Sequence, residues 1–174
     1  NAAGATVYVT LEPCSHTGKT PPCADALIKA KPDTVVIAML DPNPLVSGQG
    51  INKLRQHGIK VVTDVLKQQA MLLNAGFIKR MTQQLPFVRL KMGMSLDGRT
   101  ALSNWLSQWI TSPESRQDVQ FLRAGSSAIL STAATVINDD ASLNVRLHAD
   151  QLKQKIAVRQ PVRVIIDNSL RLTG

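Results

Sequence analysis

The chain has 174 residues and a mass of 18.9 kDa, which suits one ordinary domain or two small or incomplete ones. With 44% hydrophobic and 18% charged residues it is no disordered chain, and its 3% aromatic content argues against a single-strand nucleic-acid binder that stacks bases. The net charge of +8 is spread evenly, with 9 basic and 5 acidic residues in 1–84 and 11 and 7 in 85–174, which fits phosphate-bearing small molecules better than a basic arm for nucleic acid.

Asn1-Ala-Ala-Gly has neither the basic start nor the apolar stretch of a secretory leader, and no apolar run approaches the roughly eighteen residues of a membrane span. Thr6–Leu11 is rich in β-branched residues and predicts a strand. Ala24–Lys31 follows two prolines, which suit a helix's first turn, and predicts a helix. Thr34–Leu40 is a near-continuous apolar run, the pattern of a strand buried on both faces. Asp41-Pro-Asn-Pro predicts a loop, because two prolines remove ladder donors. Gly50–His57 predicts a helix ended by Gly58, and Ile59–Thr63 a further strand. Val65–Met81 carries Leu66, Ala70, Leu73, Phe77 and Met81 at helical spacing.

Thr82-Gln-Gln-Leu-Pro is polar and ends in proline, and a boundary is expected there, giving units 1–84 and 85–174. Beyond it the pattern predicts a strand over Phe87–Met92, a helix near Pro113–Arg123, a strand over Ala128–Leu130, a helix near Ala133–Asn138 and a strand over Val162–Ile166. Strands alternating with helices predict parallel sheets joined by right-handed crossovers. The expectation is two consecutive α/β units, the second cut short at its distal end.

The sharpest chemical signal is Leu11-Glu-Pro-Cys-Ser-His-Thr-Gly-Lys-Thr-Pro-Pro-Cys23. Cys14 lies just past a predicted strand and Cys23 at a predicted helix start, where partial positive charge favours the thiolate that binds metal. Zinc deaminases of bases pair such a Pro-Cys…Cys half-site with an upstream His-x-Glu. Two buried reduced cysteines are the plain alternative. Two thiols without a leader fit a reducing, cytoplasmic setting, not a disulfide-stapled scaffold. His16 is a third ligand on bare chemistry, and Glu12 reads as a local hydrogen-bonding residue. No His-x-Glu occurs; His148-Ala-Asp150 has Asp for Glu, lies downstream and reads as a solvated loop. No Gly-x-Gly-x-x-Gly is present, which argues against a Rossmann site.

TLEPCSHTGKTPPC, VVIAMLDPNPLVSGQG, KMGMSLDGRTA, SQWITSPESRQDV and ATVINDDASLNVR together resemble the bifunctional riboflavin-biosynthesis deaminase/reductase family, over essentially the whole chain. The resemblance implies an α/β fold: a truncated cytidine-deaminase-like three-layer domain followed by the first part of a dihydrofolate-reductase-like domain. It implies zinc and NADPH as cofactors and a phosphoribosylated diaminopyrimidinone as substrate, first deaminated and then reduced from ribosyl to ribityl. The family's His-Ala-Glu would lie upstream of Asn1, so an internal fragment is expected, without its catalytic glutamate and inactive as a deaminase.

Carried over position by position, the resemblance makes Cys14 and Cys23 the zinc thiolates. It places His16, Lys19, Asp41 and Asn43 on the deaminase substrate. In the second unit it assigns Ser107, Arg123, Leu143 and Arg146 to substrate, and Gly93, Trp109, Thr135, Asp139 and Thr173 to the nicotinamide cofactor. Lys91 and Asp97 flank that glycine. On residues alone, Arg123 is also a favourable cation at a helix end, Trp109 a core residue, and Asp97-Gly98 a plain turn. No nucleic-acid or membrane partner is expected, and a homo-oligomer is compatible with the sequence. The alternatives are another deaminase of the same superfamily, against which the nine-position cysteine spacing speaks, and a non-catalytic zinc-binding module.

Overall fold

The computed structural model describes residues 2–104, 106–153 and 157–172. The chain divides into two compact units, Asn1–Leu90 and Lys91–Gly174, six residues after the boundary that composition suggests. Both are mixed α/β with parallel strands.

In the first unit β1 (Thr6–Val9), α1 (Cys23–Ala30), β2 (Thr34–Ile37), α2 (Gln49–Gln56) and β3 (Lys60–Thr63) alternate, and α3 (Lys67–Leu73) and α4 (Ala75–Gln83) follow. The strands run parallel in the order β1-β2-β3, with Val7, Val35 and Val61 side by side and Tyr8, Val36 and Val62 in the next row. α1 carries Asp25 in its first turn and Lys29 in its last, which complements the helix dipole. Lys31 then takes the left-handed conformation, its N–H donating to the carbonyls of Leu27 and Ile28.

Three parallel strands in sequential order, joined by right-handed crossovers, put α1 and α2 on the same face of the sheet. Burial agrees. Val35, Ile37, Ile51, Leu54 and Ile59 form the core, with Leu27 and Ile28 of α1 packed against it. Thr34 and Val36, on the opposite face of β2, are only half-buried, and Tyr8 there is 74% exposed. Within these 174 residues, the expected burial of β2 on both faces is found on one. Leu54 is fully buried at the centre of this core. Leu54→Ala is expected to cost about 2–5 kcal/mol, loss of transfer energy plus a cavity, read as a lowered denaturant midpoint by circular dichroism; an unchanged midpoint would dissolve this core assignment.

The helix expected over Val65–Met81 is two helices. Asn74 breaks it, its side-chain Nδ2 donating to the Ala70 carbonyl at 2.9 Å and approaching Met39 Sδ at 3.7 Å. The same carbonyl also accepts the Asn74 backbone N–H at 3.2 Å, and α3 ends on this doubled bond, a local feature that apolar periodicity does not register. The strand expected over Phe87–Met92 does not form. These residues are exposed, and no strand lies beside them among the described residues, so their β-propensity has no ladder to join.

The second unit holds α5 (Pro113–Ala124), β4 (Ala128–Thr132), α6 (Ala133–Asp139), a 3-10 turn (Ala149–Leu152) and β5 (Val162–Ile166). Ser112 caps α5, its Oγ accepting from the Ser115 N–H at 3.2 Å, with proline at the first helical turn. β4 and β5 pair in parallel, Leu130 beside Val164. In the segment 141–147, Leu143, Val145 and Leu147 are buried while alternate residues face outward. Among the described residues no helix is long and apolar enough to cross a membrane.

Candidate functional site

In the first unit the chain leaves β1 through Glu12-Pro-Cys and returns at the start of α1. Cys14 Sγ accepts the backbone N–H of Cys23 at 3.3 Å, and the Cys14 carbonyl accepts the Ala24 N–H at 3.1 Å. The two thiols are free, Cys14 half-buried and Cys23 exposed. Hydrogen bonding to Cys14, then its charge and burial, hold the Cys23 thiol above the usual cysteine range. A strand end and a helix start thus bring two sulfurs together, as the spacing suggests. Two thiols alone are fewer than the three or four protein ligands that zinc takes. Among the described residues no group of three His, Cys, Asp or Glu side chains stands ready to hold a metal, so His16 does not complete the set.

Glu12 is buried, 3% exposed. Its Oε2 accepts the N–H groups of Asp41 at 3.2 Å and Gly48 at 2.9 Å; its Oε1 accepts those of Gly50 at 3.0 Å and Ile51 at 3.3 Å. The sequence identifies it as a hydrogen-bonding residue but cannot name these partners. The loop so held contains Asp41 and Asn43, both half-buried at the carboxyl end of β2. Asp41 Oδ1 accepts the Asn43 N–H at 2.8 Å and Asn43 Oδ1 the Leu45 N–H at 3.1 Å, successive turns that stiffen the loop. Ser15 Oγ reaches Gln49 Oε1 at 3.4 Å, a second tie between the cysteine loop and α2. His16 and Lys19 lie exposed on the cysteine loop.

In the second unit Arg123 and Arg146 come together. Arg123, in the last turn of α5, donates from Nη1 to the Asn144 carbonyl at 3.0 Å. One turn earlier on α5, Gln120 accepts the Arg146 N–H at 2.9 Å. Gln160 clamps Val145, accepting its N–H at 2.8 Å and donating to its carbonyl at 3.1 Å. Burial first, then the neighbouring Arg146 guanidinium, hold Arg123 below the usual arginine range. Among the described residues the ion pairs are Lys53–Asp25 and Lys67–Asp64, so neither arginine faces a carboxylate partner. Leu143 is turned inward, 7% exposed, at φ 52°, a left-handed backbone that costs a residue with a β-carbon about 1–2 kcal/mol. It therefore contributes to the packed loop more than to an open surface. Gln120 and Gln160, which hold this loop, carry no motif that sequence reading would single out.

Trp109 is 68% exposed, not a core residue. Arg116 lies over its ring, 4.3 Å from the centroid, and donates to the Thr111 carbonyl. A β-carbon at Gly93 would lie 3.4 Å from Lys91 Nζ and 3.8 Å from Thr111 Cγ2. Gly93 thus lies beside Thr111, whose carbonyl accepts from the same Arg116 that covers Trp109; Arg116 is a member that sequence reading misses. Ser107 is half-buried two residues away. Thr135 and Asp139 lie one turn apart on α6, the first half-buried and hydrogen-bonded to its cap Thr132, the second exposed. At the carboxyl ends of β4 and β5, a cavity of about 260 Å³ is lined by Thr132, Ala133, Ile166, Asp167, Asn168 and Arg171. Backbone N–H groups, foremost that of Leu172 at 2.9 Å, hold the Asp167 carboxyl below the usual range. Thr173 lies outside the described residues. His148 is exposed ahead of the 3-10 turn, its N–H donating to Gln151 Oε1 at 2.9 Å.

The chain is similar to the riboflavin biosynthesis protein RibD of Haemophilus influenzae, 55% identical over 177 residues that cover 99% of this chain and 48% of that protein. It is 52% identical to the Escherichia coli protein of the same name, again over 99% of this chain and 48% of the relative. The chain thus spans about half the length of the curated relatives it matches. Among solved structures it resembles Acinetobacter baumannii RibD, with a TM-score of 0.87 and 51% identity, covering 99% of this chain and 48% of that one. It also resembles a Thermotoga maritima protein described as a diaminohydroxyphosphoribosylaminopyrimidine deaminase/5-amino-6-(5-phosphoribosylamino)uracil reductase, with a TM-score of 0.86 and 45% identity, covering 99% and 46%. Residues 86–174, which hold the paired arginines and the cluster around Trp109, match the RibD C-terminal domain, and the chain belongs to that family.

Proposed function

We propose that the chain joins the two catalytic parts of a cytoplasmic, bifunctional enzyme of riboflavin biosynthesis. The first unit is part of a cytidine-deaminase-like zinc domain, and the second is the beginning of a dihydrofolate-reductase-like NADPH-dependent domain. The substrate is a phosphoribosylated diaminopyrimidinone, first deaminated on the ring and then reduced from ribosyl to ribityl. The observation that carries the reading is the meeting of Arg123 and Arg146 without an acidic partner among the described residues. Two cations held together by backbone clamps are relieved by an anion, and a phosphate accepts from both. The deaminase half rests on the thiol pair.

Zinc fits the first unit in part. Cys14 and Cys23 would hold it, with a further ligand from outside the described residues. Bound there, it would activate water for attack on the carbon that bears the ring amine. Asp41 and Asn43 would orient the pyrimidine, and Lys19 and His16 would receive the ribose phosphate. NADPH fits the second unit: Gly93 offers backbone without a side chain, Trp109 an exposed indole, and Lys91 and Arg116 positive charge. The cofactor would supply hydride, while the protein supplies orientation and charge. Ser107, Arg123 and Arg146 would serve the substrate, with Leu143 packing the loop that carries Arg146, and Thr135, Asp139 and Thr173 would serve the cofactor.

In the full-length enzyme, Arg146→Ala should raise the reductase Michaelis constant about ten- to a hundredfold and leave ammonia release unchanged. That range corresponds to about 1.5–3 kcal/mol for a charge-assisted contact. Lys153→Ala removes a charge at the end of the exposed 3-10 turn and should change neither step. Equal losses from both substitutions would show that diffuse positive charge, not the arginine pair, binds the substrate.

A further inference from the structure

We infer that Glu12 is a positioning residue for the pocket of the first unit: it fixes the Cys14 loop against the loop that carries Asp41 and Asn43. The inference rests on the deaminase reading above. Four backbone N–H groups end on one buried carboxylate, and they come from three places: the loop after β2 at Asp41, the turn at Gly48 and the first turn of α2 at Gly50 and Ile51. The Glu12 backbone N–H also donates to the Met39 carbonyl at 3.0 Å. On its C-terminal side Glu12 is followed directly by Pro13 and Cys14. One residue therefore joins the chain that carries the Cys14 thiol to the loop that carries Asp41 and Asn43.

The geometry is tight enough to transmit a change. A β-carbon at Gly50 would stand 1.9 Å from the Pro13 carbonyl oxygen, so α2 already starts in contact with the chain that bears Glu12 and cannot close in further. All four partners are donors. Glutamine in place of Glu12 keeps the shape but turns an amide NH₂ toward N–H groups, so two of them lose their acceptor. Aspartate keeps the charge and withdraws it by one methylene from partners that cannot follow. With the amide on the Oε2 side, or with the shorter aspartate, the Asp41 N–H, which donates to no other acceptor in this network, is released together with the Asn43 turn.

The test is steady-state kinetics of both half-reactions in the full-length enzyme, with zinc content measured on the same samples. For Glu12→Gln the expected result is a deaminase Michaelis constant raised about tenfold or more, the loss typical of a charge-assisted contact, while kcat per bound zinc changes by less than about threefold. A residue that merely supports the fold would instead lower kcat and zinc content together at an unchanged Michaelis constant, and that outcome overturns the inference. Should Glu12→Gln fail to accumulate as folded protein, Glu12→Asp reads the same split with the charge kept. An unsubstituted enzyme that releases no ammonia from the diaminopyrimidinone brings down the deaminase reading itself, and the inference with it.

Discussion

Gly50→Ala is expected to destabilise the first unit by about 3–5 kcal/mol, although alanine is the better helix former. At an ordinary helical position the exchange would gain up to about 1 kcal/mol. Here the added carbon would stand 1.9 Å from the Pro13 carbonyl oxygen and 3.1 Å from its carbon, backbone atoms that no rotamer change can move aside. The contact must open by more than an ångström. Overpacking of this kind costs about 1–3 kcal/mol. Displacing α2 also stretches the bonds from Gly50 and Ile51 to Glu12, each to a charged acceptor and worth about 1.5–3 kcal/mol. The clash and the lost bonds outweigh the propensity gain. Gly18 provides the control: it lies on the cysteine loop with nothing within 4 Å of its would-be β-carbon. Gly18→Ala should stay within about 0.5 kcal/mol of the unsubstituted protein. Chemical denaturation followed by circular dichroism measures both. A Gly50→Ala chain as stable as its parent would mean that the β1 exit and α2 are not in contact.

Replacing either Cys14 or Cys23 by serine in the full-length enzyme is expected to release zinc and abolish ammonia production. Serine is chosen because it separates the metal from the fold. Its hydroxyl can accept the Cys23 N–H that the Cys14 sulfur now accepts at 3.3 Å, so the loop keeps its internal bond. What is lost is the soft thiolate. Altering a residue that only supports a ligand typically costs ten- to a hundredfold in metal affinity, so removing a ligand should cost at least about a hundredfold. The 174-residue chain by itself, with two thiols and no third ligand among the described residues, should release no ammonia even with zinc added. Full zinc occupancy with normal turnover in Cys14→Ser would remove the ligand assignment. Ammonia release by the chain alone would mean that His16 and Glu12 complete the site after all.

The alternation of β1, α1, β2, α2 and β3 in the first unit, the sequence α5, β4, α6 and β5 in the second, and the approach of Cys14 to Cys23 are legible in the sequence, because each depends on short-range information. β-branched runs mark β1, β3 and β5, prolines open α1 and α5, and glycine ends α2. Glycine and two prolines between Cys14 and Cys23 mark a shaped loop, which can fold the two thiols toward each other. Composition shows positive charge spread evenly over both halves, but not which cations come together.

Tertiary structure alone decides the rest, because the deciding contacts join residues far apart in the chain. Glu12 meets donors 29 to 39 positions away, and only the parallel register of β1 beside β2 brings them within reach. Arg123 meets the loop of Arg146 because Gln120, one turn before it, takes that loop's N–H. The single buried face of β2 follows from both crossover helices lying on one side, which a hydrophobic run cannot state. α3 ends at Asn74, whose side chain and backbone both donate to the Ala70 carbonyl, where apolar spacing would continue one helix. Phe87–Met92 has the residues of a strand but forms none, since a strand exists only where another backbone offers it hydrogen bonds.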